Sequence, residues 1–265
     1  MTIKRSSILK SNVVQAAQKH AREEYLKGKD KPQESIGVVS RGKYVPLKNV
    51  SPVPHLSAKP EREKFGNMMA DGLVDCLIHS HPNGPFYPSK NDMVGQVNLE
   101  IPHGLIAVYQ DGACSKLSLW GDQLERQDLN NRYFQHGISD CFEAIRDKLF
   151  IENVVNISPF PREWEWWLNG EDLYEDNLKK EGFVVISAHE AKPNDCVLFK
   201  MPCRNKKDNR LHVSDKYNHA GVYLGNDTIY HHPSSGAGYS ATNLSGLASL
   251  SRRMHQNPLF VRYSG

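Results

Sequence analysis

Residues 74–92 read VDCLIHSHPNGPFYPSKND. The first nine are mostly apolar and suit a buried strand. The proline- and glycine-rich remainder forces a turn. Residues two apart in a strand project from one face, so His79 and His81 can offer imidazoles side by side to one centre. Beyond the turn, Asp92 can return as a third ligand. Two nitrogens and one carboxylate, with one position left for water, suit catalytic zinc. Such a metal lowers the pKa of its water towards neutrality, and a base must then take the proton. Glu34, in the run PQESIG at 32–37, is the candidate base; Glu63 and Glu100 are other acids that could approach.

Outward from this stretch, periodicity places an amphipathic helix over 8–27, with Val13, Val14, Ala17 and Ala21 as its apolar stripe. SIGVVS (35–40) and KYVPLKNV (43–50) read as strands around Arg41-Gly42, and a second helix is expected over 60–74. LIAVYQDG (105–112) and KLSLWGD (116–122) read as a hairpin turning at Asp111-Gly112. Residues 122–136 are polar and weakly periodic, a linker or connecting helix. The expected organisation is therefore α+β in two domains, 1–122 and 123–265, with 123–136 as the connection.

The second half opens with GISDCFEAIRDKLF (137–150), a helix that Ser139 or Asp140 can cap and whose apolar face includes Phe142, Ile145 and Leu149. Cys141 stands at its start, where partial positive charge favours thiolate over thiol. A thiolate nucleophile needs an imidazole and a group to orient it. His219 begins the strand HAGVYLG (219–225), and His231 lies near the end of TIYHH (228–232), across an Asn226-Asp227 turn. An antiparallel hairpin brings the two together, and Cys141 completes a Cys–His–His set. Cys196 and Cys203 are rival nucleophiles, but Cys196 sits in the strand-like run CVLFKM (196–201) and Cys203 in a basic loop. A last strand is expected at LFVRY (259–263).

The spacing H-x-H-x7-S-x-x-D across His79, His81, Ser89 and Asp92 resembles the JAMM metallopeptidases, or MPN domains, over roughly residues 10–120. That resemblance implies an α/β/α domain cleaving peptide or isopeptide bonds. It implies zinc (Zn2+) on His79, His81 and Asp92, Glu34 as general base, and Ser89 as a partner of the developing oxyanion. Asp140-Cys141, KPND (192–195), NHAGVYLG (218–225) and His231 resemble the NlpC-type cysteine peptidases, over roughly 130–265. This implies a papain-like α+β domain that cuts peptidoglycan stem peptides. Phe142 stands where that family usually has serine, and Asn194 where it usually has glycine. The order of the two domains resembles tail-tip proteins of lambda-like tailed bacteriophages. The partners implied are stem peptides and other phage tail-tip proteins. The settings implied are the host cytoplasm during assembly, then the virion tail tip acting at the host wall or periplasm. A structural reading stays open beside the hydrolase: a tail-tip assembly factor that uses peptidase folds mainly as docking surfaces.

Composition narrows the alternatives. With 265 residues, 39% hydrophobic and 24% charged, the chain can fill two ordinary cores. The net charge of +3 is small and its basic residues are scattered. The run RNKKDNR (204–210) reads as an exposed loop, with no nucleic-acid-binding signature beside it. Five cysteines with no C-x-x-C pair argue against a disulfide framework and against a structural zinc knuckle. No apolar run reaches the ~18 residues of a membrane span. The start lacks the apolar core of a signal peptide, so a soluble product without conventional export is expected.

Overall fold

The computed structural model describes residues 2–28, 30–204, 210–233 and 238–265; residues 205–209, within the basic run, lie outside the described residues. The chain divides into two units, Met1–Arg126 and Gln127–Gly265. Both mix helices with mainly antiparallel sheet, an α+β organisation.

The first unit runs α1 (Arg5–Ile8), α2 (Ser11–Lys27), β1 (Ile36–Ser40), β2 (Lys43–Leu47), α3 (Arg62–Ala70), β3 (Cys76–Pro82), α4 (Lys90–Leu99), β4 (His103–Val108) and β5 (Ser118–Trp120). Its sheet has the order β2-β1-β3-β4-β5. Arg41 and Gly42 take φ of 50° and 74°, the left-handed pair that a tight hairpin between β1 and β2 requires. Strand alternation then sorts β3. Cys76 and Ile78 pack against Val13, Ala17 and Ala21 of α2. Leu77 points the other way, into a cluster with Phe65 of α3 and Leu99 of α4. His79 and His81 share the parity of Leu77, so they belong to the α3–α4 face. Ile78 is 1% exposed at the centre of the larger cluster, and truncating it to Ala would cost about 2–5 kcal/mol.

α4 is absent from the sequence reading, which expects only a turn over 82–92. β3 and β4 are parallel, and a parallel pair needs a crossover; α4 supplies it. Only Met93 and Gln96 of this helix are buried, so it lacks the broad apolar stripe that marks a helix in sequence.

The second unit runs β6 (Tyr133–Gln135), α5 (Cys141–Ile151), a 3-10 turn at Trp166–Asn169, α6 (Leu173–Leu178), β7 (Phe183–Ile186), β8 (Cys196–Phe199), β9 (Pro202–Arg204), β10 (Leu211–Val213), β11 (His219–Gly225), β12 (Thr228–His231), β13 (Tyr239–Leu244), β14 (Gly246–Ser249) and β15 (Leu259–Tyr263). The main sheet, ordered β14-β12-β11-β8-β15-β7, is antiparallel throughout. α5 lays Phe142, Ile145 and Leu149 onto Leu198, Ala220 and Val222 of β8 and β11. Residues 133–135 are not part of a linker or connecting helix. They form β6, which pairs with the distant β13 and buries Phe134 and Gln135. No described helix is long and apolar enough to cross a membrane.

Candidate functional sites

In the first unit, β3 carries His79 and His81 into the sheet face covered by α4, and α4 begins where Asp92 can meet them. Their Nε2 atoms lie 3.2 Å apart. His79 Nε2 is 3.4 Å from Asp92 Oδ1, and His81 Nε2 is 3.3 Å from Asp92 Oδ2. Ligands at about 2.0–2.1 Å from a tetrahedral ion are separated by about 3.3 Å, so the three donors are spaced to hold one ion. His81 Nδ1–H donates to the Pro85 carbonyl at 3.0 Å. That bond assigns the tautomer and leaves the Nε2 lone pair facing the shared centre. His79 also stands edge-on to Trp120, with ring centroids 6.1 Å apart.

Asp92 is fixed from its own helix. Ser89 is the N-cap of α4, and its backbone N–H and hydroxyl donate to Asp92 Oδ2 at 2.8 and 2.7 Å. The Asp92 N–H returns to Ser89 Oγ at 3.2 Å, closing a capping box. Burial raises the Asp92 carboxyl, but the charges and hydrogen bonds of His79 and His81 outweigh it and hold the group well below the usual range. Glu34 precedes β1, whose Ile36 pairs with His79. It is buried, and desolvation raises its carboxyl against the opposing pull of His79 and His81. The structure thus brings Glu34, His79, His81, Ser89 and Asp92 together. Neither Glu63 nor Glu100 figures among the charges that act on this cluster. His103, unremarked in the sequence, lies beside it. His103 is buried, packs edge-on to Trp120, and is pushed down to about 3 by burial, with the His79 charge adding.

In the second unit, Asp140 caps α5. Its Oδ1 accepts the Phe142 and Glu143 N–H groups at 3.0 and 3.1 Å. Its Oδ2 accepts Gly137 N–H at 2.8 Å and Arg162 at 2.6 Å. Cys141 Sγ sits 3.3 Å from the Tyr174 hydroxyl. The expected acidity of this thiol does not appear. Burial and then the Asp140 charge push Cys141 up to about 11, against weaker help from Tyr174 and Arg162. The helix start is positive, but Asp140 occupies its free N–H groups and brings a full negative charge beside the sulfur.

His219 and His231 lie diagonally on one sheet face, because Gly221 is the residue directly opposite His231. A Cβ at Gly221 would stand 2.9 Å from the Tyr230 carbonyl and 3.2 Å from His231 Cβ, so only glycine leaves this room. His219 Nε2 is 2.9 Å from His231 Nδ1, with the rings perpendicular. With Nε2–H donating to His231, His219 Nδ1 keeps a lone pair, and that buried nitrogen has no partner among the described residues. Burial, then the charges of His231 and Arg253, holds His219 well below the usual histidine range. A cleft of about 350 Å³ is lined by Trp164, Trp167, Asn218, His219, His231 and Arg253, among others. Trp164, Trp167 and Asn218 also border a smaller hollow that reaches Cys141 and Tyr174. Of the rivals, Cys196 is wholly buried in β8, whereas Cys203, placed in β9 and not in a loop, lines the same cleft as His219 and His231 and sits 3.5 Å from His212.

Tyr174, Arg162 and Arg253 are the neighbours that sequence reasoning missed. Tyr174 and Arg162 fall in the aromatic-rich tract 160–178, where nothing but the folded contact separates a polar partner from a packing residue. Asn194 takes φ of 77°, a conformation that glycine adopts most readily and asparagine tolerates, which accounts for the exchange noted above.

No protein-family model matches the chain. It is 31% identical over 161 residues, 61% of this chain and 70% of the relative, to a protein of Escherichia phage lambda named tail tip assembly protein K. It is 24% identical over 232 residues, 84% of this chain and 85% of the relative, to the protein of the same name from Escherichia phage N15. Likeness to solved structures is slight. A Bacillus cereus NlpC/P60 family protein gives a TM-score of 0.27 at 10% identity, covering 92% of this chain and 67% of that one. A Salinibacter ruber protein gives 0.29 at 17% identity, covering 45% and 87%. Neither likeness carries weight for fold or function.

Proposed function

The chain belongs to the tail tip assembly protein K family of bacteriophages, and we propose that it serves the tail tip as a hydrolase with two centres. The second unit would cut peptidoglycan stem peptides, and the first a peptide or isopeptide bond. One arrangement supports this most. His219 is held 2.9 Å from His231, its Nδ1 is buried without a partner, and its cleft adjoins the hollow of Cys141.

In this reading His219 is the base and His231 fixes its tautomer and orientation. Cys141 and His219 rest as a neutral thiol and a neutral imidazole, because burial opposes charge on both. The Sγ proton passes to His219 Nδ1 as sulfur bonds to the peptide carbonyl carbon. The C–N bond then breaks and the amine departs with that proton. Water hydrolyses the thioester and restores the thiol. Tyr174 offers its hydroxyl to the developing oxyanion.

In the first unit, His79, His81 and Asp92 would hold zinc. Bound there, zinc would supply a Lewis acid and an acidified water. Glu34 takes the proton of the attacking water and delivers it to the leaving amine, a task that its raised pKa suits. Ser89 orients Asp92 through the capping box; to serve an oxyanion its hydroxyl must leave that carboxylate.

A structural role at the tail tip is the second reading, favoured by the word assembly in the relatives' names. Mass spectrometry of purified muropeptides after incubation with wild type and with Cys141→Ala separates the two. New peptide fragments from wild type alone are expected; fragments from neither protein would leave the structural reading.

A further inference from the structure

Arg253, a cation lining the cleft of the second unit, has no role in the peptidase reading. Arg253 lies on the 3-10 turn Ser251–Gln256, between β14 and β15, and is half-buried. It lines the cleft together with His219, His231, Trp164 and Trp167. Every other buried or half-buried arginine among the described residues of this unit has a carboxylate partner. Arg132 pairs with Asp147, Arg146 with Glu143, Arg162 with Asp140 and Arg262 with Asp195. Arg253 has neither an ion pair nor a side-chain hydrogen bond among the described residues. Glu165 also lines the cleft but exerts no pull on it.

A partly desolvated guanidinium without a counter-charge is unfavourable, and a carboxylate from a ligand would offset that cost. The planar fork of arginine matches a carboxylate in two parallel hydrogen bonds, which favours this group over a neutral amide of the same shape. The indoles of Trp164 and Trp167 offer apolar walls against which a peptide backbone can lie. The Arg253 charge already reaches both histidines, where it helps lower His219 and His231. A carboxylate seated on Arg253 would therefore also relieve the charge that His219 feels as it accepts a proton.

We propose that Arg253 determines specificity by holding a carboxylate of an acidic peptide in the cleft beside His219 and His231. The proposal takes from the reading above that this cleft receives a peptide. It is tested by isothermal titration of the full chain carrying Cys141→Ala, which binds without turnover. The probes are a synthetic stem tetrapeptide with its D-glutamate α-carboxylate free, the same peptide amidated there, and the same peptide amidated only at its C-terminus. Amidation at one of the two positions is expected to weaken binding about ten-fold or more. Adding Arg253→Gln should weaken the free-acid peptide by a similar factor and abolish the preference, while Arg253→Lys keeps part of it. Equal affinity for all three peptides, equal loss for all three in Arg253→Gln, or no binding at all would overturn the proposal. Discrimination without any cleavage by wild type would sink the peptidase reading and leave this one standing; cleavage without discrimination would do the reverse.

Discussion

Asp92 is required by two structures at once. It is the third residue of α4 and closes the capping box with Ser89, and it is also the carboxylate that meets His79 and His81. The two demands separate under substitution. Asp92→Asn keeps an oxygen for the cap, so folding should fall by only about 1 kcal/mol. It removes the anionic donor, so bound zinc should drop from about one per chain to near zero by elemental analysis. The His79→Ala/His81→Ala protein should be equally empty, and a zinc content equal to wild type would refute the ligand set. Glu34→Gln should keep its zinc and lose turnover, because Glu34 is placed as a base and not as a donor. At Cys141, chemistry and packing pull apart in another way. With its thiol pushed up to about 11, Cys141 should react slowly with iodoacetamide at neutral pH. The partly exposed Cys203 should label first and the wholly buried Cys196 last. Peptide mapping over a pH series reads the order directly. Fastest labelling of Cys141 at pH 7 would show that a thiolate–imidazolium pair forms in the resting protein.

α5 shows how much of an element one residue can organise. Asp140 caps the helix through Oδ1 and receives Arg162 on Oδ2, with both residues buried. Asp140→Asn would preserve the cap and strip the charge, leaving Arg162 with Glu143 at 3.5 Å as its remaining carboxylate. The expected loss is about 3–5 kcal/mol, towards the lower end because Glu143 compensates in part. Urea unfolding measures it, and a change below about 1 kcal/mol would mean that the pair contributes little. The helix itself was legible in the sequence, since Asp140, Phe142, Ile145 and Leu149 spell a cap and an apolar stripe. So were β1, β3, β8, β11 and β12, whose apolar runs are bounded by turn residues, and so was the meeting of His219 with His231. What was hidden depends on distant partners. β6 and β13 are short strands that exist because they pair with each other. α4 is a crossover with little apolar surface. Arg162 and Tyr174 become neighbours of Asp140 and Cys141 only through tertiary packing. The acidity expected of Cys141 failed for a related reason: helix position is readable locally, whereas desolvation and the orientation of the Asp140 charge are not.

At the scale of the whole chain, acid should destabilise the second unit through its buried histidines. His231 is lowered to about 4 by burial, with Arg253 and His232 adding their charges. His219 lies well below the usual range and His232 is lowered too. In the unfolded chain each takes up a proton near the ordinary histidine value of about 6.5. Between there and about pH 4 the unfolded state binds more protons than the folded one, so stability must fall as the pH drops through that window. Above about 6.5 these groups are neutral in both states and the full stability is present. For His231 alone the loss approaches about 3 kcal/mol at pH 4. Asp140 does not confuse the reading, because its depressed carboxyl stays ionised in both states until the pH falls to the usual carboxylate range. The tryptophans make the measurement selective: Trp164, Trp166 and Trp167 lie in the second unit and only Trp120 in the first. Urea titrations followed by tryptophan fluorescence should show a midpoint that declines steadily from pH 7 to pH 4.5. The decline should be shallower in His231→Gln, which removes one of the three depressed imidazoles of this unit. A midpoint independent of pH across that range would mean that the imidazoles are hydrated in solution and that the cleft is more open than its buried histidines imply.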